Sequence, residues 1–225
     1  MEDGRNMNKL TILYEDNHII VIVKPYNILS QGDSTGDLSI MDMIKSYIKE
    51  KYHKPGNVYL GLVHRLDRPV GGIMVFAKSS KAASRLCKCF NEHVVSKKYL
   101  AIVHGKMEEK NGKMVDLIEK GKDGKSFVSS DGKKAVLDYE VLAYDIQNNC
   151  SLVSINLQTG RHHQIRVQFS SRGHYLLGDQ RYGVLDGTQI CLFCYYLSFP
   201  HPTTKKVLEF KYYPEQKGQW TIFTL

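Results

Sequence analysis

Two hydrophobic rhythms run along the chain, and the changes between them mark its elements. Residues 10–14 and 19–23 are short apolar runs parted by Glu15-Asp16-Asn17-His18, which predicts a β-hairpin. Lys24-Pro25 ends the second run, and residues 31–37 form a Gly/Asp/Ser loop. The period then lengthens. Ile40, Met41, Ile44, Tyr47 and Ile48 recur at helical spacing, so a helix is predicted within 38–53, capped by Ser39 or Asp37 and stopped by Lys54-Pro55-Gly56-Asn57. Residues 73–77 are apolar without a break, the pattern of a short strand buried on both faces. A second helix is predicted over 79–92, with Ser79 or Ser80 as its cap and Ala82, Ala83, Leu86, Cys87 and Phe90 on its inner face.

The second half reads mainly as strands. Residues 97–105 form one with a basic entry, and 135–146 and 150–157 pair around Gln147-Asn148-Asn149. Between them, residues 111–134 are polar and rich in Gly and Lys, which fits a β-ribbon insertion or a long loop. A third helix is predicted from His162 to about Arg172, closed by Gly173. Strands over 190–199 and 207–212, joined at His201-Pro202-Thr203-Thr204, finish the chain. No repeat, low-complexity tract or long linker interrupts this order. The expected layout is a disordered tail over 1–9 and one α+β domain over 10–225.

Composition narrows the class. A chain of 225 residues with 42% hydrophobic and 24% charged residues has the make-up of an ordinary folded protein. Its formal net charge of +8 suits a polyanionic partner, because each phosphate neutralised by Lys or Arg releases condensed counterions. No stretch approaches the roughly 18 apolar residues of a membrane span, and no basic leader precedes an apolar run. Five cysteines, an odd number without a secretion signal, point to reduced thiols and a cytoplasmic protein. Cys87-Lys88-Cys89 falls on a helix, and Cys191 and Cys194 fall on opposite faces of a strand, so neither pair suits a metal. No metal and no cofactor is expected.

Two constellations remain. In the first, Asp67 stands between Arg65 and Arg68, ahead of Pro69 and Gly71-Gly72, which should break regular structure just before the apolar strand. By itself this reads as a structural Arg–Asp pair at a turn sooner than as a reactive carboxylate. In the second, Arg161, His162, His163 and Arg166 open the third helix. There His162 and Arg166 share a face, and the helix N-terminus with Arg161 would accept a phosphate. By itself this is a solvated basic helix.

Four blocks stand out along the chain. They are His64-Arg65-Leu66-Asp67-Arg68 with Gly72-Ile73-Met74-Val75-Phe76-Ala77-Lys78, then Lys98-Tyr99-Leu100-Ala101-Ile102-Val103-His104-Gly105. Next come Leu157-Gln158-Thr159-Gly160-Arg161-His162-His163-Gln164-Ile165-Arg166-Val167 and Gly178-Asp179-Gln180-Arg181-Tyr182-Gly183. Taken together, they closely resemble the signature blocks of the RluA-type pseudouridine synthases. Lys24-Pro25 at the entry and Leu197-Ser198-Phe199-Pro200-His201-Pro202 at the exit also match, so the similarity covers about residues 10–224. Two positions depart from the pattern. His162 stands where threonine is common, and Val70-Gly71 replaces Thr-Ser or Val-Ser.

The resemblance implies a mixed, largely antiparallel sheet with flanking helices and a central RNA cleft, and the isomerisation of uridine in rRNA or tRNA without a cofactor. It gives Asp67 the place of the catalytic aspartate. Tyr99 takes the place of the tyrosine that stacks on the target base and assists proton removal at C5, and Arg166 that of the arginine paired with the carboxylate. Arg65 falls where some members push an arginine into the gap left by the flipped base. His64, Arg68, Lys98, Arg161, His162, His163 and Gln164 fall among the RNA-facing positions. Many relatives carry an N-terminal S4 RNA-binding domain, for which the few residues before the first strand leave no room. A monomer is expected.

The chemistry suits these residues. The C1′–N1 bond must break, the uracil turn over and a C1′–C5 bond form, with nothing lost. A carboxylate beneath the anomeric carbon can stabilise or capture its developing positive charge, as in retaining glycosidases. Attack on uracil C6 is the rival route. A target within an RNA helix must first be flipped out, at a cost of a few kcal/mol. Two other functions fit the same residues: an inactive RNA-binding or ribosome-assembly factor on this fold, and a nucleoside or sugar hydrolase using Asp67, which would release free uracil.

Overall fold

The computed structural model describes residues 10–225, and the chain falls into two compact units. One comprises the chain up to Val95 together with Ser198–Tyr212; the other comprises Ser96–Leu197 and Tyr213–Leu225. The tail expected over 1–9 lies outside the described residues. No Gly/Pro linker announces the units, because two of the crossings run through regular structure: Ser96 opens a strand and Leu197-Ser198 lies inside one.

In the first unit, β1 (Thr11–Glu15) and β2 (Ile19–Lys24) form the expected hairpin. Asp16 closes its turn by accepting the N–H groups of His18 and Ile19 at 2.7 and 2.8 Å. Helix α1 (Ile40–Lys51) follows, and of the two candidate caps Ser39 is the one used, in a capping box with Asp42. After the short β3 (Gly61–Leu62), β4 (Gly71–Ala77) runs antiparallel to β2 from Ile19 opposite Ala77 to Lys24 opposite Gly72. Every residue of both strands is buried, which is why neither shows a polar/apolar alternation. Each large aliphatic side chain there contributes about 1.5–3 kcal/mol by burial. The ladder extends further than expected. Gly71 and Gly72 were predicted to break the backbone, but pairing with Lys24 draws Gly72 into the sheet at φ +131°, a conformation that glycine tolerates. Helix α2 (Ser80–Asn91) is capped by Ser79. Gly61 lets β3 lie close to it, since a Cβ there would stand 2.8 Å from that of Ala83.

A buried carboxylate ties these elements together. Glu15 accepts from Tyr47 at 2.9 Å, from Lys51 and Lys78 at 2.7 Å and from Tyr52 at 2.8 Å. Burial pushes its pKa up, but the two ammonium groups and two hydroxyls outweigh that and bring it down to about 2 from 4.5. A carboxylate depressed in the folded state gives stability that is present above its unfolded pKa and lost as pH falls through the folded value. We therefore expect thermal melts of Glu15→Gln to be less stable than the parent at neutral pH, with the difference shrinking between pH 4.5 and about 2.

The second unit carries β5 (Ser96–His104), β6 (Asn111–Lys120), β7 (Ser126–Val128), β8 (Lys133–Asp145), β9 (Cys150–Leu157), helix α3 (Gln164–Ser170) and most of β10 (Leu192–Pro200). Its strands lie in the order β10-β5-β9-β8-β6-β7. Residues 111–134 are thus a ribbon and not a loop: β6 pairs with β8 from Asn111 opposite Glu140 to Ile118 opposite Lys133, and with β7 on its other edge. β10 returns the chain to the first unit, where His201-Pro202-Thr203-Thr204 turns it into β11 (Val207–Lys211). The fold is α+β with largely antiparallel strand pairs, as expected.

The third helix is shorter than its sequence suggests. His163 takes a left-handed conformation, φ 54° and ψ 25°, so the helix starts at Gln164 and not at His162. Two expectations fall with it. His162 and Arg166 do not share a helical face, and there is no helix N-terminus at Arg161 open to a phosphate. Instead the Arg161 N–H is already taken by the Gln164 side-chain carbonyl at 3.0 Å.

Candidate functional site

Asp67 sits half-buried on a turn whose backbone is held on both sides. Ser30, 5% exposed, clamps the preceding residue in both directions: its hydroxyl donates to Leu66 O at 2.6 Å and accepts the Leu66 N–H at 3.1 Å. Lys24 holds the following one. Wholly buried, its ammonium donates to the carbonyls of Pro25, Ile28 and Arg68 at 2.9, 2.7 and 3.1 Å. Desolvation draws the Lys24 pKa down to about 7 from 10.5; the negative charge of Asp67 opposes that fall and the positive charge of Arg68 adds to it. The Val70 N–H donates to Asp67 O at 3.0 Å and closes the turn. A carboxylate with three fixed neighbours in sequence has few directions left to it.

The neighbours in the motif divide by exposure. Arg65 and Arg68 are exposed, and Arg68 makes a surface ion pair with Asp37 at 2.8 Å. His64 is different. Its Nε2 accepts the Val75 N–H at 3.1 Å and its ring stacks on Phe90 at 4.9 Å, so it also braces β4.

In the second unit the organising pair is Arg166 and Asp179. Arg166 Nε and Nη2 donate to the two carboxylate oxygens at 2.8 and 2.7 Å, with both side chains buried. Burial pushes the Asp179 pKa up, but the guanidinium and the N–H groups of Arg181 and Tyr182 hold it below the usual carboxylate range. The Tyr182 ring lies 5.0 Å from the guanidinium carbon. Its hydroxyl bonds His163 Nδ1 at 2.7 Å and accepts the Ser126 N–H at 2.8 Å. The Ser126 hydroxyl in turn bonds His162 Nδ1 at 2.8 Å, and the two histidine rings stack at 3.7 Å. The ribbon is therefore pinned to the Arg166 helix through Ser126.

Gly178 makes the Asp179 position possible. It adopts φ +71°, and a Cβ on it would come 2.2 Å from Gln189 O. We expect Gly178→Ala to lose about 2–4 kcal/mol from left-handed strain and overpacking together, read as a fall in denaturant midpoint.

Gln164 is also a structural residue. At 3% exposure, its side chain joins Thr159 Oγ1, Arg161 N, Val136 O and Gln168 Oε1, and Gln168 continues to Asp116 at 2.6 Å. This corrects its placement among the RNA contacts. Tyr99 lies on β5 opposite Ile155, 6% exposed. Its neighbour Lys98 is exposed, with the ammonium 5.4 Å from the Tyr196 ring centroid. Lys97 was not singled out, yet a Cβ built on Gly160 would stand 3.6 Å from its ammonium, and desolvation lowers its pKa. Arg161 is exposed and donates from Nε to Lys134 O at 2.8 Å; His162 and His163 are half-buried.

Sequence reasoning missed Lys24, Ser30, Ser126, Asp179 and Tyr182 as supports. A signal existed for one of them: a buried arginine requires a carboxylate, and Gly178-Asp179 follows the Arg166 block directly. As for metals, no three His, Cys, Asp or Glu side chains converge among the described residues. The cysteines are free thiols, and burial pushes that of Cys191 up to about 12.

Comparison with known proteins places the chain in a family. The RNA pseudouridylate synthase family model matches residues 18–171. The dual-specificity RNA pseudouridine synthase RluA of Haemophilus influenzae is 34% identical, the match covering 89% of this chain and 91% of that one. The ribosomal large subunit pseudouridine synthase C of Buchnera aphidicola is 32% identical over 87% of this chain and 64% of its own length. Among solved structures, human RNA pseudouridylate synthase domain containing 4 superposes with a TM-score of 0.76 at 26% identity, covering 91% of this chain and 89% of that one. The chain belongs to the RNA pseudouridylate synthase family, in its RluA-type branch. It spans between 56% and 71% of the length of several other curated relatives.

Proposed function

We propose that this protein isomerises uridine to pseudouridine in a structured RNA, with Asp67 as the group that acts on the nucleotide. The observation that carries this reading is the turn itself: Lys24 and Ser30 spend buried polar groups on fixing the backbone at residues 66 and 68, and the residue between them is a carboxylate. A merely structural acid would not call for such support.

In the proposed reaction the target nucleotide is everted, and Asp67 meets the positive charge that grows at C1′ as N1 departs, or alternatively adds to C6. The uracil turns, C5 bonds to C1′, the C5 proton leaves and N1 gains one, so atoms and charge balance without a redox partner. Tyr99 stacks on the base and takes part in the C5 proton loss. Arg166, oriented by Asp179 and Tyr182, takes the part of the arginine that pairs with the catalytic carboxylate in the family it resembles. Arg65 fills the space that the base leaves. Arg68, Lys98, Arg161, His162 and His163 hold the phosphates and the flanking nucleotides. The name of one relative, a ribosomal large subunit pseudouridine synthase, favours ribosomal RNA as substrate, with transfer RNA as the alternative.

Release of tritium tests the reading. Unmodified transcripts of ribosomal and transfer RNA carrying tritium at uridine C5 should pass that label to water when incubated with the protein, at constant RNA mass. Free uracil in place of tritiated water would mean a hydrolase. Tight binding with neither product would mean an RNA-binding factor.

A further inference from the structure

The ribbon that carries Ser126 also presents a face for which the proposed reaction has no use. Alternate residues of β6 point outward. Val115 is 51% exposed and Leu117 40%, and on the neighbouring β7 the Phe127 ring, opposite Glu119, is 47% exposed. Lys134 of β8 lies directly across from Leu117, and its carbonyl is the group that anchors Arg161. Of the three acids on this face, Glu119 accepts from the Ser129 hydroxyl at 2.8 Å, Asp138 is held by Gln158 and Lys113, and Glu140 lies at the far end of the ribbon, opposite Asn111. Next to Val115 and Leu117, the exposed charged side chains Lys113 and Lys134 are basic.

The platform is also rigid, although its outer side is open. The inner side of the same ribbon is buried at Met114, Ile118 and Ser126, and Ser126 is pinned to His162 and Tyr182. Gly132 packs so closely on β6 that a Cβ there would lie 2.5 Å from Ile118 N. Exposed hydrophobic side chains on a fixed sheet normally mark an interaction site. An exposed aromatic ring on a ribbon that also carries exposed lysines suits bases that stack while their phosphates are neutralised.

We propose that the outer face of β6, β7 and β8, centred on Phe127, Leu117 and Lys134, is a docking platform for single-stranded RNA outside the modified nucleotide. It deepens the proposed function by naming a second contact on the same class of substrate. Phe127 stacks on an unpaired base, Val115 and Leu117 pack beneath its neighbour, and Lys134 and Arg161 meet the backbone. No covalent step is involved.

The test uses a ligand that cannot react. A fluorescein-labelled oligoadenylate of about 12 nucleotides contains no uridine, so its binding is independent of pseudouridine formation. In anisotropy titrations with the whole protein, Phe127→Ala should weaken binding about tenfold and Phe127→Tyr should restore it, while Lys134→Ala should flatten the salt dependence. Both variants alter exposed positions, and circular dichroism checks that they fold. Oligoadenylate binding that is absent in the parent protein, or that is unchanged in Phe127→Ala, overturns the platform; the latter outcome would leave only non-specific charge attraction, or a protein partner, for this face. Failure of tritium release would count against the isomerase and leave this readout intact.

Discussion

Asp67→Ala is expected to abolish pseudouridine formation, reducing the single-turnover rate by about 10⁴-fold or more, while RNA binding stays within about threefold of the parent. The split follows from position. The carboxylate projects from a turn whose backbone is fixed by Ser30, Lys24 and the Val70 N–H; Ser30 and Val70 hold it without the Asp67 side chain, while Lys24 loses only a neighbouring charge that favours its ammonium. Removing the side chain therefore leaves the turn standing and the exposed Arg65 and Arg68 in place. Gel-shift and tritium-release assays on the same preparation measure both halves. Loss of binding in step with activity would instead make Asp67 a structural residue.

Asp179→Ala should have the largest effect on stability. The Arg166 guanidinium would keep its charge in a buried position while losing the two bonds at 2.7 and 2.8 Å that pay for it, and the Arg181 and Tyr182 N–H groups would lose their acceptor. Breaking one partner of a buried ion pair costs about 3–5 kcal/mol, roughly a 10 °C fall in melting temperature for a chain of this size. Asp179→Asn keeps the acceptor oxygen and should lose less. The double variant Arg166→Met/Asp179→Leu separates stability from function, because removing both charges should recover much of the stability but none of the activity. If Asp179→Ala melted like the parent, the pair would not organise this unit.

Much of this was legible in the sequence because the local signals agree with the tertiary ones. β4 reads as a buried strand because it lacks alternation, β2 reads as one arm of a hairpin, and α1 and α2 start at serines that are among the candidate caps. Asp67 stood out as a lone acid between arginines. Other features were hidden for physical reasons. The left-handed turn at His163 is set by the ring contacts to His162 and Tyr182, and no propensity of histidine foretells it. Lys24 reads as a strand-ending cation, yet its ammonium is buried because two carbonyls of the segment that follows it and the distant Arg68 carbonyl converge on it. Gln164 resembles an RNA contact in a basic motif, but its side chain is buried and its polar atoms are bonded within the fold. The ribbon over 111–134 could be read as a loop because its outward face is polar and apolar by turns, without the clean alternation of a half-buried sheet.

Transcriptome-wide mapping of pseudouridine decides whether the Asp67 turn is the working part of this molecule. In cells lacking the protein, one or a few uridines in ribosomal or transfer RNA should lose the modification, and the parent protein should restore it where Asp67→Ala does not. A map that is unchanged when the protein is removed, or one that Asp67→Ala restores in full, would contradict the assignment.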